Sequence, residues 1–214
     1  MELIVGRAAL LVIDMQHDFC DSDVGTYAPG ALEIIQPISS LIQRARESDT
    51  PVIFTQEIHR PDHLDAGRER DPGAGLPYPG ASADDPLPAH CVAGTTGVEI
   101  VEELAPQPHD VRILKRRYSC FLGTDLQLVL NGLQVSTLLV TGVCSNICVL
   151  WTAGDAYQRD YHVRVIEDCV AGTSPEEHAA ALTIMRPLTF PERPVLSGEV
   201  LDVLAVADVV AGVV

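Results

Sequence analysis

Short stretches rich in apolar residues recur along this chain, each bounded by polar or turn-forming residues. Strands covered on both faces read this way. Ala8–Asp14 (AALLVID) is the first run and ends on an acid; Pro51–Thr55 (PVIFT) is the second. Val111–Lys115 (VRILK), Thr137–Val143 (TLLVTGV) and Val163–Asp168 follow in the same manner. Between these runs the period changes. From Leu32 to Glu47, the residues Ile34, Ile35, Ile38, Leu41, Ile42 and Ala45 recur at helical spacing. Further helices are predicted at Thr124–Leu133 with Thr124 as cap, from Asn146 to Arg159, and from Ser174 to Met185. The last of these opens on a Ser174–Glu177 capping box. Val98–Leu104 reads as a short helix, Pro194–Ser197 as a short strand and Glu199–Val206 as a final helix. Strand–helix alternation of this kind predicts an α/β fold, a three-layer α/β/α sandwich around a mostly parallel, Rossmann-like sheet.

One stretch breaks the alternation. Residues 60–96 contain six prolines and five glycines, and a loop of that length inside a compact unit reads as a functional lid or as a disordered segment. With 214 residues, the chain fits a single domain spanning 1–214, because one core can grow to about 250 residues.

Charge narrows the partners. Thirty acidic residues against fourteen basic ones give a formal net charge of −16, without a basic stripe. Such a field repels phosphate backbones, so nucleic acid is not an expected partner. Asp14 and Asp18 interrupt the only apolar run near the start, and no window of 18 apolar residues occurs. The expectation is therefore no signal peptide, no membrane association and a cytoplasmic location. Six cysteines, at 20, 91, 120, 144, 148 and 169, follow neither a disulfide framework nor a zinc ribbon and read as reduced thiols.

Candidate chemistry lies where strands end, because open parallel sheets bind ligands outside the carboxyl ends of their strands. The first strand delivers Asp14 and the third Lys115. The fourth leads through Gly142-Val143-Cys144-Ser145-Asn146-Ile147 to Cys148. An acid, an amine and a thiol are what covalent catalysis requires. Lys115 is also the only lysine, the other thirteen basic residues being arginine. A compact ammonium can be tuned by burial, whereas a guanidinium stays charged. Cys148 falls in the first turn of the predicted helix if Ser145 or Asn146 caps it. The amides there would lower a thiol pKa and receive an oxyanion. On composition alone Cys144 competes for the same role, and either cysteine could be a buried structural thiol.

Three stretches together resemble the isochorismatase-like cysteine hydrolases: Leu11-Val12-Ile13-Asp14-Met15-Gln16-His17-Asp18-Phe19, Lys115-Arg116-Arg117-Tyr118-Ser119-Cys120-Phe121, and Thr141-Gly142-Val143-Cys144-Ser145-Asn146-Ile147-Cys148-Val149. That superfamily includes nicotinamidases, N-carbamoylsarcosine amidases and ureide hydrolases. The similarity runs from about residue 8 to 186. It implies an Asp–Lys–Cys triad on Asp14, Lys115 and Cys148, and so favours Cys148 over Cys144. Asp14 would take the thiol proton and later activate water. The resemblance also implies a cis peptide at Val143–Cys144, aiming the Cys144 and Cys148 amides into an oxyanion hole. Cys120 departs from the alanine or glycine that relatives carry. Homo-oligomerisation is implied as well, and the apolar tail Val209–Val214 could contribute.

The implied activity is hydrolysis of a small amide or ureido C–N bond through an acyl-enzyme, releasing ammonia. An isochorismatase-type vinyl-ether hydrolysis would need no thiol. A non-catalytic α/β binding domain is the alternative of another class, but no glycine-rich phosphate fingerprint follows the first strand. Glu57, His59 and His63 follow the second strand, and His90 precedes Cys91-Val92-Ala93-Gly94. Nicotinamidases resemble this with Asp-x-His and His-Cys-Val, which bind a divalent ion. Glu57, His59 and His90 are accordingly candidate ligands for zinc or iron. Glu57 is longer than the aspartate and Ile58 replaces an aromatic, so His59 and Arg60 could instead hold substrate or pin the loop. Arg68 and Arg70 could reach a substrate carboxylate or simply be solvated. His17, His109, His162 and His178 read as surface or packing residues.

Overall fold

The apolar runs become strands whose inward pressure comes from both sides. β1 (Arg7–Ile13) buries every residue after Arg7, and β2 (Val52–Glu57) buries all of its own. β4 (Val135–Val143) and β5 (His162–Ala171) are nearly as covered, while β3 (Val111–Lys115) exposes Arg112 and Leu114 and buries Ile113 and Lys115. That alternation marks an edge strand. The five strands pair in parallel in the order β3-β2-β1-β4-β5. This computed structural model describes residues 2–24, 26–67, 90–189 and 194–211. Arg68, Arg70 and most of the proline-rich loop lie outside the described residues, as do the last three residues of the apolar tail.

Among the described residues, six helices accompany the sheet: α1 (His17–Cys20), α2 (Ala31–Glu47), α3 (Leu126–Gly132), α4 (Leu150–Tyr157), α5 (Pro175–Met185) and α6 (Ser197–Ala211). The chain steps from β1 to β2 in one direction and from β4 to β5 in the other. Right-handed crossovers therefore put α2 and α4 on opposite faces. α2 packs across β1, β4 and β5 with α6 beside it, and α3, α4 and α5 lie against β4 and β5. Ile34, Ile38, Leu41, Ile42 and Ala45 form the buried stripe of α2.

The order reverses between β1 and β4, both of which leave the sheet next to each other. Ile13, the last residue of β1, pairs with Thr55 on one side and with Gly142 on the other, so β2 runs two residues further and β4 one. Glu57 and Lys115 are register partners two residues further out. A crevice at such a switch point is where open α/β sheets hold ligands.

Several expected elements differ. The segment expected as a helix at Val98–Leu104 consists of two short 3-10 turns, Thr96–Val98 and Glu102–Leu104. Between them Ile100 bridges to Gln16 in an antiparallel sense. The strand expected at Pro194–Ser197 is one parallel bridge, Val195 to Ile166, against the outer edge of β5. α3 begins at Leu126 rather than Thr124, whose hydroxyl accepts the Leu126 N–H at 3.2 Å. The chain after β4 does not enter an α-helix at Asn146. Ser145–Val149 forms a wide π-type turn, and α4 starts only at Leu150.

Candidate active site

Asp14 is the first residue beyond β1 and takes a left-handed backbone, φ 51°. Aspartate tolerates that region better than most residues. Thr55 on the neighbouring strand holds it from two sides. Its hydroxyl donates to Asp14 Oδ1 at 2.6 Å and accepts the Asp14 N–H at 3.2 Å. Lys115, at the end of β3, reaches back under the sheet edge to meet Asp14 Oδ2 at 2.7 Å. It also donates to Glu57 Oε2 at 2.7 Å and to Cys148 Sγ at 3.4 Å. Cys148 Sγ is in turn 3.7 Å from Glu57 Oε2. Asp14 and Lys115 are 0% and 1% exposed, and Cys148 4%. The Val143–Cys144 peptide is cis, and Cys144 O accepts the N–H groups of Ile147 and Val149 at 2.9 and 3.1 Å. All six cysteines are free and buried.

Charge is unevenly distributed in this cluster. Burial pushes the Asp14 carboxyl above its usual range; Lys115 pulls it down and the charge on Glu57 pushes it further up. For Glu57, burial raises, but Lys115, His59 and His90 outweigh it, and the carboxyl is held well below its usual range. The Lys115 ammonium is destabilised by burial and more than restored by Asp14, Cys148 and Glu57, so it stays charged. Burial drives the Cys148 thiol well above its usual range, against the pull of Lys115, with Asp14 and Glu57 adding to the rise. The sequence suggested a thiol acidified by a helix end. Instead the sulfur sits in a buried site beside two carboxylates, which favours its protonated form.

Glu57 looks both ways. Its Oε1 lies 3.1 Å from His59 Nε2 and 3.8 Å from His90 Nε2. These three donor atoms lie within 4.8 Å of one another. Zinc–ligand bonds of about 2.0–2.2 Å set tetrahedral donor–donor edges of about 3.3–3.6 Å, and a two-imidazole, one-carboxylate set suits that ion. The residues present therefore fit a divalent metal. Asp65 stands behind His59, 3.7 Å from Nδ1, and is itself held by Arg116 Nε at 3.0 Å. Arg60 turns outward to Asp62, with contacts at 2.8 and 2.6 Å, and is exposed. His63 is outside the cluster of candidate ligands.

Residues that sequence reading passed over support the cluster. Gln16 is fully buried and donates to Glu57 O at 2.8 Å and Val98 O at 2.9 Å. Its own Oε1 accepts the Glu57 N–H at 2.8 Å, so it locks both backbone groups of that residue. Asp18 accepts the Cys91 N–H at 2.5 Å, and Phe19 meets the His90 ring edge-on with centroids 5.9 Å apart. α1 thereby seats the His90 segment. His178, expected to be surface or packing, bonds Ser145 in the turn that carries Cys148. The signal available for Gln16 was its place between Asp14 and Asp18; for His178 there was only its spacing from the Ser174 cap.

Comparison with known proteins finds relatives over most of the chain. The isochorismatase domain family model matches residues 8–192. A cysteine hydrolase from Pseudomonas syringae pv. phaseolicola 1448A superposes with TM-score 0.80 at 30% identity, covering 97% of this chain and 99% of that one. The pyrazinamidase of Pyrococcus horikoshii in complex with zinc gives TM-score 0.71 at 30% identity, over 86% and 96% of the two chains. Ureidoacrylate amidohydrolase RutB of Caulobacter vibrioides is 30% identical over 181 residues, 78% of this chain and 78% of the relative. A family match across most of the chain, together with a sheet whose switch point carries the buried cluster, means that this protein belongs to the isochorismatase family of hydrolases.

Proposed function

We propose that the chain is a cysteine-dependent hydrolase of a small amide or ureido C–N bond, with Asp14, Lys115 and Cys148 as its catalytic residues. The observation that carries this reading is the convergence of a carboxyl, an ammonium and a thiol from three strand ends in one buried site. Asp14, its pKa raised, takes the thiol proton, and the sulfur attacks the carbonyl carbon. Lys115 holds the ionised carboxylate and steadies the thiolate as it forms. The amides of Cys144 and Cys148, in the wide turn, receive the oxyanion of the tetrahedral intermediate. Protonated Asp14 then returns its proton to the leaving nitrogen, and ammonia departs as the C–N bond breaks. Water, deprotonated by Asp14, attacks the thioester; the thiolate leaves and regains its proton from Asp14, releasing the acid.

We also propose that Glu57, His59 and His90 hold a divalent ion, zinc or iron, beside the triad. Bound there, it would supply Lewis-acid anchoring for a substrate donor atom. Support comes from the donor spacing and from the zinc complex of the related pyrazinamidase. The vinyl-ether alternative has no use for a thiol placed 3.4 Å from Lys115 Nζ. A non-catalytic domain has no need to bury an ammonium between two carboxylates.

The test is ammonia release from a panel of nicotinamide, biuret, ureidoacrylate, maleamate and N-carbamoylsarcosine, with and without chelator. Turnover of at least one compound is expected. Silence across the panel, with an isochorismate-type vinyl ether cleaved instead, would overturn the amidohydrolase reading.

A further inference from the structure

Two pairs of side chains tie the turn that carries Cys148 to the connection between β5 and α5. Ser145 is fully buried, and its hydroxyl lies 2.9 Å from His178 Nδ1. One residue on, Asn146 Nδ2 donates to Thr173 Oγ1 at 2.8 Å, and the Thr173 N–H donates back to Asn146 Oδ1 at 3.1 Å. Gly172 lies between the two pairs. A Cβ there would stand 2.7 Å from Ser145 Oγ, 2.9 Å from His178 Cβ and 3.1 Å from Asn146 Oδ1. The φ of Gly172 is not in the left-handed region, so close approach and not backbone freedom is what calls for glycine.

His178 is itself fixed from its own side. Ser174 Oγ accepts the Glu177 N–H at 3.1 Å and Pro175 sits in the first turn, so the start of α5 is rigidly defined. The turn it grips has little intrinsic stability. Cys144 O takes two amides across a π-type turn, a rare geometry found mostly at functional sites, and Ser145 and Asn146 are weak helix formers. Anchors from another element are what such a turn lacks by itself.

We infer that His178 is a positioning residue for Cys148, acting through Ser145 to hold the nucleophile's turn in its reactive geometry. This rests on the reading of Cys148 as nucleophile. Without the imidazole, the buried Ser145 hydroxyl loses its partner and the turn relaxes. The sulfur then drifts from its seat beside Lys115, and a shift of about 1 Å costs roughly 100-fold in such geometry. The Asn146–Thr173 pair remains and limits the loss.

The experiment measures the rate at which methyl methanethiosulfonate labels Cys148, resolved by peptide mapping, together with kcat and KM on whichever panel compound is turned over. His178→Ala should slow labelling and kcat by about 10–100-fold, with KM little changed and unfolding still cooperative. His178→Asn, whose amide occupies the Nδ1 position, should recover most of that loss, which a merely structural deficit would not show. Ser145→Ala should match His178→Ala, and the double variant should be no worse than either, because both remove one interaction. Should His178→Ala fail to fold, the one-atom deletion in Ser145→Ala gives the reading. Wild-type rates in Ser145→Ala or in a folded His178→Ala overturn the inference while leaving the nucleophile intact. A wild-type Cys148 that labels no faster than Cys169, with no panel turnover, overturns the nucleophile reading and this inference with it.

Discussion

Lys115 Nζ stands 2.7 Å from Glu57 Oε2, the same distance that separates it from Asp14 Oδ2. One ammonium thus serves two buried carboxylates, and the register of β2 and β3 brings Glu57 to it. Glu57 and Lys115 are paired residues on adjacent parallel strands, so their side chains leave the sheet side by side. The extra methylene of glutamate lets Oε2 reach the ammonium while Oε1 still faces His59.

Lys115→Arg keeps the charge and should still lose turnover by at least about 100-fold, because the planar guanidinium cannot meet both carboxylates and the sulfur from one point. Lys115→Met leaves two buried carboxylates facing each other. It should cost about 3–5 kcal/mol in urea denaturation at neutral pH, part of it recovered on acidification. Near-normal kcat in Lys115→Arg would contradict a geometric role for the only lysine.

Cys148→Ala should abolish turnover, yet unfold within a few degrees of the wild type, since the loss is one small buried sulfur. Cys144→Ala should keep measurable activity. Assays of the two variants on the same panel compound separate them, and the opposite pattern would move the nucleophile to Cys144.

What the sequence disclosed depends on how local the determinants are. β1 and β2 are legible because both faces are covered, and Asp14 and Lys115 because they are polar residues at the ends of such runs. Gln16 shows only as a member of the first family-like stretch, and its role is not legible because its partners lie 41 and 82 residues away. The same holds for His178, whose partner Ser145 is 33 residues distant. Val98, Val101 and Leu104 are all buried at helical spacing, and the spacing misled. They line one wall, but Ile100 between them extends to pair with Gln16 and interrupts the helix. α1 has four residues, too few for any period to show.

Gly142→Ala should be a severely damaging single methyl where β4 pairs with β1. A Cβ at Gly142 would lie 2.1 Å from Ile13 O and 2.7 Å from Ile13 N, on a backbone with φ 103°. The clash and the forbidden dihedral together should cost about 3–5 kcal/mol, because both contacts are backbone and neither can swing away. Gly154→Ala is the matched control. It sits in α4 with open space around its Cβ and should stabilise by about 0.5–1 kcal/mol. Urea denaturation of both variants provides the measurement.

Wild-type protein dialysed against zinc should retain about one equivalent by elemental analysis, and His90→Ala or His59→Ala should lose it. Asp65→Asn should weaken retention by about 10–100-fold, as expected for a carboxylate placed behind a ligating imidazole. Equal zinc contents in wild type and His90→Ala would remove this metal site from the proposal.

Glu57→Gln offers a test whose sign is fixed by the geometry. On the proposed mechanism the rate requires ionised Asp14, whose carboxyl is raised by burial and then by the charge on Glu57, against Lys115. Neutralising Glu57 removes one of the two upward pushes and leaves Lys115 to Asp14 alone. The acid limb of kcat/KM should therefore move to lower pH, and kcat at neutral pH should fall because Asp14 is then a weaker base. Stability should respond in a matching sense. Glu57 is held well below its usual range in the folded state, so it contributes stability that is present above its unfolded pKa of about 4.3. That contribution is lost as pH falls toward the folded value. Glu57→Gln lacks it, and urea denaturation of the variant should show a flatter decline below that pH. Both measurements are made in chelator, so that only the carboxylate's charge differs. An acid limb that stays in place, or moves to higher pH, would show that Glu57 does not share Lys115 with Asp14 in the working enzyme.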